Sequence, residues 1–201
     1  NDYARSMEKQ LGLTFVHPFD DPVVAAGQGT VALEMLEDAP DLDAIIVPVG
    51  GGGLISGVAT AAKAIKPAIR IIGVQTAEFP AFYCLKTGRD LAGGGSTLAE
   101  GIAVKEPGQF TRTIVAALVD EMRAVNEYLI EEAISLLLDI EKTVVEGAGA
   151  VGLAALMPTS NGKQRAEFKG KKIGVILTGG NIEQRFLANV ILRNLVRSGR
   201  M

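Results

Sequence analysis

The chain has 201 residues, with 20 Lys and Arg against 23 Asp and Glu and a formal net charge of −3. With 48% hydrophobic and 21% charged residues, it has the composition of a globular protein with a core, which excludes a disordered chain. It has no basic stripe that would bind nucleic acid, and no apolar run approaches the ~18 residues that span a bilayer. Its one cysteine, Cys84, excludes an internal disulfide. We therefore expect a cytoplasmic protein that binds neither nucleic acid nor membrane.

Apolar periodicity and turn residues divide the chain into alternating elements. In chain order, helices are predicted over 1–11, 30–38, 54–65, 126–142, 147–157 and 183–197. Strands are predicted over 13–16, 43–49, 70–75 and 172–177, and a turn over 158–162. The strands at 43–49 and 70–75 are continuous apolar runs on either side of a helix, as in parallel strands covered on both faces. The predicted fold class is α/β, a three-layer, mostly parallel sheet with helices on both faces.

Two glycine clusters directly follow predicted strands. Gly50-Gly51-Gly52-Gly53 separates the strand at 43–49 from a helix, and Thr178 with two glycines follows the strand at 172–177. Without Cβ atoms, successive amide N–H groups can face one anion, and the positive end of the following helix adds to the attraction. Neither cluster matches the GxGxxG or GxxxxGK[ST] patterns. The first cluster predicts a cradle for a phosphate-bearing cofactor, and the alternative is a flexible connection.

A set of ordered motifs resembles one enzyme family. The motifs are HPFDDP at 17–22, AGQGT at 26–30, GGGGL at 50–54, TLAEG at 97–101, EGAGA at 146–150 and LTGGN at 177–181. In this order and spacing they resemble threonine dehydratase and its serine racemase relatives. Those are fold-type II enzymes, related in fold to the tryptophan synthase β subunit, and they depend on pyridoxal 5′-phosphate (PLP).

The resemblance implies particular cofactor-binding residues. The cofactor phosphate is expected in the backbone cup of residues 50–53 and Leu54, and the Thr178 hydroxyl is expected at the pyridine nitrogen. Gly101 is expected against one face of the ring, with the Glu146 carboxylate nearby. From the residues alone, Thr178 is also consistent with an ordinary strand-end threonine, and Glu146 with an acid that stabilises a helix start.

The same resemblance implies a divalent or monovalent cation at Glu78. The second carboxylate of that site falls at Cys84 in this chain, and the backbone-carbonyl ligand falls at Phe82. This departure removes one of the oxygen ligands that a hard cation prefers. Cys84 is interpreted as a small buried side chain.

The HPFDDP motif contains further polar residues that could be mistaken for catalytic groups. His17 is the only histidine, and we interpret it as part of a structural turn rather than as a base. Asp20 and Asp21 are interpreted as turn residues rather than as an acid pair.

Two motifs of the family do not occur in these 201 residues. They are Ser-x-Lys-x-Arg-Gly, which carries the Schiff-base lysine, and Ser-x-Gly-Asn, which grips the substrate carboxylate. The lysines without matching neighbours are Lys63, Lys66, Lys86, Lys105, Lys142 and Lys163. We therefore expect a fragment that is inactive alone. Residues 1–26 would be a remnant of the small domain and crossover, and residues 27–201 would be most of the large PLP-binding domain.

For the full-length parent, the resemblance implies PLP-dependent dehydration and deamination of L-threonine, L-serine or both to a 2-oxo acid and ammonia. It also implies a homo-oligomer, and residues 191–200 resemble the segment that leads into a C-terminal regulatory domain of the ACT type. Two alternatives remain open: a serine or threonine racemase on the same scaffold, and a non-catalytic module that binds a phosphate ligand. A Rossmann nucleotide domain is disfavoured because no acidic residue is suitably placed for a ribose.

Overall fold

The computed structural model describes residues 2–158, 166–197 and 199–200. Within them the helices are α1 Asp2–Leu11, α2 Pro22–Gln28, α3 Thr30–Asp38, α4 Gly53–Ile65, α5 Ala81–Thr87, α6 Gln109–Leu118, α7 Glu127–Asp139, α8 Gly147–Ala154 and α9 Gln184–Arg197. The strands are β1 Ala44–Pro48, β2 Arg70–Thr76, β3 Glu121–Val125 and β4 Ile173–Val175. Short 3₁₀ turns lie at Glu100–Ile102 and Ala166–Phe168. No helix in these ranges is both long and apolar enough to cross a membrane.

The strands form one parallel sheet in the order β3-β2-β1-β4. In its centre, Ile46 of β1 pairs with Ile72 of β2 on one side and with Val175 of β4 on the other. All of β1 is buried, because it lies inside the sheet and is covered from above and below. The carboxyl ends of these strands meet at one edge, and the loops that follow them are therefore neighbours.

Alternate strand residues enter two separate hydrophobic cores. Ile46 and Val74 face a core built with α7, α8 and α9, whereas Ile45 and Val47 face one built with α3, α4 and α6. Each of these side chains is fully buried, and each such burial contributes roughly 1.5–3 kcal/mol to the hydrophobic term. The predicted three-layer α/β architecture with a parallel sheet is confirmed.

Most predicted elements agree with the structure. The helix predicted over 30–38 is α3 residue for residue, and α4 begins one residue before its predicted start. Asn126 caps α7 as expected, because its side-chain oxygen accepts a hydrogen bond from Leu129 N–H at 3.0 Å. Gly12 ends α1 with a φ of +65°, which favours glycine.

The strand predicted over 13–16 is wrong. This segment has no regular structure and pairs with no strand in the described part of the chain, and Leu13 and Val16 remain exposed. Helices α2, α5 and α6 and strand β3 were not predicted. The α2 start does carry a local signal, since the Asp21 carboxylate accepts hydrogen bonds from Val23 N–H at 2.7 Å and Val24 N–H at 3.1 Å. Most of the turn predicted over 158–162 lies outside the described residues, as does Lys163.

Candidate functional site

The tetraglycine connects the carboxyl end of β1 to the start of α4. No described residue accepts a hydrogen bond from the backbone N–H groups of residues 50–55, which include the first turn of this 13-residue helix. Free N–H groups at a helix N-terminus carry the positive end of the helix dipole, and in a concave loop they bind an anion. We call residues 50–54 the glycine cup.

Only glycine fits two positions of the cup. A Cβ atom on Gly51 would collide with the Phe19 ring. Gly52 has a φ of +96°, and a Cβ atom there would lie 2.8 Å from both Phe82 Cζ and Thr111 Cβ. The backbone therefore passes through a space that admits no side chain, and these buried glycines line a cavity.

The HPFDDP turn packs against the cup. The Asp20 carboxylate caps α6 by accepting hydrogen bonds from Gln109 N–H at 2.9 Å, Phe110 N–H at 2.9 Å and Thr111 N–H at 3.2 Å. His17 Nδ1 accepts a hydrogen bond from Asp20 N–H at 2.8 Å, which fixes the turn itself. His17 and Asp20 therefore have structural roles. Asp20 caps a helix that is distant in sequence, which goes beyond the expected role in its own turn.

One cavity of about 360 Å³ contains every cofactor-binding position predicted from the sequence. Its lining includes Gly50, Gly51, Gly52, Gly53, Leu54, Gly101, Glu146 and Thr178. The lining also includes Phe19, Ile102, Val104 and Ala148, which were not predicted. Phe19 and Ala148 lie inside the motifs at 17–22 and 146–150, and Ile102 directly follows the motif at 97–101. No lysine is among the described residues that line the cavity. The structure brings the predicted positions together, and their binding of a cofactor stays a prediction.

Glu146 and Thr178 lie at the edge where the strands end. The Glu146 carboxylate is beside two glycines, since an added Cβ would lie 2.8 Å from its Oε1 at Gly179 and 3.4 Å at Gly101. Glu146 is the residue before α8, but its carboxylate accepts no hydrogen bond from the first turn of that helix. Within the described residues the exposed Thr178 hydroxyl makes no hydrogen bond. Both groups are therefore available to a ligand.

Glu127 anchors the loop that leads to Gly101. Its carboxylate accepts hydrogen bonds from the Thr76 hydroxyl at 2.6 Å, the Thr97 hydroxyl at 2.8 Å and Leu98 N–H at 2.6 Å. This one side chain joins the carboxyl end of β2, the start of α7 and the loop that leads to Gly101. Sequence reasoning did not identify Glu127, because its partners are distant in sequence.

A second cavity of about 360 Å³ shares Gly101, Glu146 and Ala148 with the first. The charged side chains in its lining are the carboxylates of Glu100, Glu146 and Glu183. An acidic lining attracts cations and repels phosphate. The anion-binding character therefore belongs to the cavity that contains the glycine cup.

Glu78 lies apart from this cavity. Its carboxylate accepts a hydrogen bond from Gly95 N–H at 2.8 Å, and its side chain lines a separate cleft with Cys84 and Lys105. Among the described residues there is no group of three or more His, Cys, Asp or Glu that could hold a metal ion. Cys84 is partly exposed in this cleft rather than buried as expected. The contacts of Glu78 order the neighbouring glycine loop, and the predicted cation stays a prediction.

Comparisons with known proteins place this chain in a family. A family model described as "pyridoxal-phosphate dependent enzyme" matches residues 1–179. The L-threonine ammonia-lyase of Thermotoga maritima is 48% identical over 199 residues, which cover 98% of this chain and 48% of that protein. The catabolic L-threonine dehydratase TdcB of Staphylococcus aureus is 42% identical over 96% of this chain and 56% of its own length.

Two solved structures are also similar. Maize serine racemase has a TM-score of 0.84 and 35% identity, covering 98% of this chain and 61% of that one. The processed form of threonine deaminase isoform 2 from Solanum lycopersicum has a TM-score of 0.83 and 34% identity, covering 94% of this chain and 52% of that one. The chain thus spans about half the length of the curated relatives that it matches.

Proposed function

This chain belongs to the family of pyridoxal-phosphate dependent enzymes and has the fold-type II architecture, and on that premise we propose that it forms the cofactor-binding part of a hydroxy amino acid ammonia-lyase. The complete protein would convert L-threonine or L-serine to a 2-oxo acid and ammonia. The observation that carries the proposal is the row of free N–H groups over residues 50–55 in a cavity that also contains Thr178, Gly101 and Glu146.

The residues present fit PLP. Hydrogen bonds to a charged group contribute roughly 1.5–3 kcal/mol each, so even two or three of the free N–H groups would hold a phosphate ester firmly. Gly101 leaves the cavity wall without a side chain, as a flat ring requires, and the Thr178 hydroxyl has no hydrogen-bond partner among the described residues and would reach a ring nitrogen. A neutral hydroxyl leaves such a nitrogen largely unprotonated, unlike a carboxylate.

The chain's own residues have binding and orienting roles. PLP, when bound, supplies an electron sink that stabilises negative charge at the α-carbon of an amino acid. The glycine cup would fix the phosphate, and Gly101 and Ala148 would exclude water from one side of the cavity. No lysine lines the cavity in the described part of the chain, and we assign the removal of the α-proton to none of these residues.

The substrate proposal is supported by the relatives. The proteins from Thermotoga maritima and Staphylococcus aureus carry names that specify L-threonine. A racemase is the second candidate, because maize serine racemase has a structure similar to this chain. The third candidate is a module that binds a phosphate ligand without catalysis, and it is favoured by the lack of a lysine among the described residues that line the cavity.

Product analysis of the complete protein with PLP separates these candidates. We expect 2-oxo acid and ammonia from L-threonine or L-serine. Formation of D-serine from L-serine without ammonia would instead establish the racemase, and bound PLP without any product would establish the binding module. Gly101→Ala places a Cβ 3.1 Å from Ala148 Cβ and should lower activity about 5- to 100-fold, as expected for overpacking. Gly27→Ala is the matched control, because a Cβ there meets no atom within 4 Å.

A further inference from the structure

We propose that Thr111 is a positioning residue for the glycine cup, an inference that rests on the proposed role of the cup in holding a phosphate. The Thr111 hydroxyl donates a hydrogen bond to the Gly51 carbonyl at 2.8 Å. Thr111 lies in α6, outside every motif identified in the sequence, and is completely buried. It does not line the cavity, so any effect on a ligand acts through Gly51.

Through the planar peptide bond, this hydrogen bond also sets the direction of the Gly52 N–H. In a trans peptide the C=O of one residue and the N–H of the next point in opposite directions. When Thr111 holds the Gly51 carbonyl against α6, the Gly52 N–H must point away from α6. That N–H has no acceptor among the described residues, and Gly52 lines the cavity. Thr111 therefore directs an amide donor towards the proposed phosphate.

A glycine run needs such an anchor. A peptide between two glycines can rotate by 180° at little steric cost, because neither neighbour has a Cβ atom. The rotated peptide would present the Gly51 carbonyl oxygen to the phosphate, and the two would repel each other. The buried hydrogen bond from Thr111 opposes this rotation, since the rotated state would leave the Thr111 hydroxyl buried without a partner.

Thr111 is itself held in place by the turn that covers the cup. Asp20 accepts a hydrogen bond from Thr111 N–H at 3.2 Å as part of the α6 cap, and the adjacent Phe19 packs on Gly51. One turn thus positions both the residue that anchors the Gly51 carbonyl and the ring that covers Gly51. Nothing else in the described chain donates a hydrogen bond to this carbonyl.

The test uses the complete protein and three variants. Thr111→Val keeps the shape and removes the hydroxyl, and Thr111→Ser keeps the hydroxyl. Val115→Ala is the control for stability, because Val115 is a buried core residue of the same helix and does not line the cavity. Each protein is titrated with PLP and, separately, with inorganic phosphate followed by ³¹P NMR, and its Tm is measured.

We expect Thr111→Val to weaken the binding of both ligands about 3- to 10-fold, the effect of one hydrogen bond. Thr111→Ser keeps the hydroxyl and should bind both ligands within about twofold of the wild type. Val115→Ala should lower the Tm without changing either affinity.

Two outcomes would overturn the inference. One is wild-type affinity in Thr111→Val, and the other is an equal loss of affinity in Val115→Ala, which would make the effect one of stability. The proposed function fails separately, if the wild type does not bind PLP. In that case a weaker binding of inorganic phosphate by Thr111→Val would still support the positioning role.

Discussion

Replacing Gly52 by alanine tests the glycine cup most directly. The backbone at Gly52 has a φ of +96°, and an L-residue held in the left-handed region costs about 1–2 kcal/mol. The new Cβ would also lie 2.8 Å from Phe82 Cζ and from Thr111 Cβ. Both neighbours are buried and cannot move aside, so overpacking adds about 1–3 kcal/mol.

The two terms together give about 2–5 kcal/mol for Gly52→Ala. If the loop keeps its conformation, this cost appears as a lower free energy of unfolding. If the loop moves to relieve the clash, the cost appears as weaker binding of a phosphate ester, by about 30-fold or more. The variant should therefore lose stability, affinity or both.

Urea unfolding followed by circular dichroism and a PLP titration measure the two quantities. Gly88→Ala is the matched control, because Gly88 has a φ of +67° but no atom within 4 Å of an added Cβ. It should show the backbone cost alone, about 1–2 kcal/mol, with unchanged PLP affinity. The reasoning is refuted if Gly52→Ala binds PLP normally and loses no more stability than Gly88→Ala.

Two further predictions concern stability away from the cavity. Partial burial acts to raise the pKa of Asp120, but hydrogen bonds from the Lys63 ammonium and Ile71 N–H outweigh it and hold that pKa below its ordinary 3.8. Asp120→Asn should therefore lower the free energy of unfolding by less than about 1 kcal/mol at pH 7. The difference in stability between the variant and the wild type should fade as the pH drops below 3.8 and through the folded-state pKa of Asp120. A difference in stability that grows in acid would contradict this. Asn126→Ala removes the α7 cap and should cost about 1 kcal/mol in urea unfolding, and an unchanged midpoint would show that the cap contributes nothing.

The part of the fold that was predictable is the part with local signals. The continuous apolar run of β1, the tetraglycine and the alanine-rich sequence of α4 each indicate a strand, a loop or a helix directly. The predicted bounds of β1 and α4 differ from the observed ones by about one residue. The glycine cup and Thr178 follow the parallel strands β1 and β4, whose carboxyl ends lie at one edge of the sheet, and this brings them to one cavity. Gly101 and Glu146 line the same cavity but follow helices α5 and α7, so the order of the strands does not explain their positions.

The rest lacked local signals. Helix α6 starts after Gly108, which offers no side-chain cap, and its cap comes from Asp20 in a distant turn. Strand β3 carries the polar residues Glu121 and Arg123 at the sheet edge, so its apolar pattern is weak. The segment 13–16 had a strand-like composition, but no partner strand is available to it in the described part of the chain. Neither pattern nor propensity indicates the contact of Thr111 with Gly51.

The long-range cap of α6 has a consequence for the order of folding. Asp20 and Gln109 are 89 residues apart, and closing a loop of that length costs on the order of 4 kcal/mol in chain entropy. A single hydrogen bond to the carboxylate contributes only about 1.5–3 kcal/mol, so the cap forms stably only when its bonds form together. The sheet and its flanking helices can assemble from closer contacts first. We therefore expect the start of α6, and with it the contacts between the HPFDDP turn and the glycine cup, to become native after the sheet and its flanking helices.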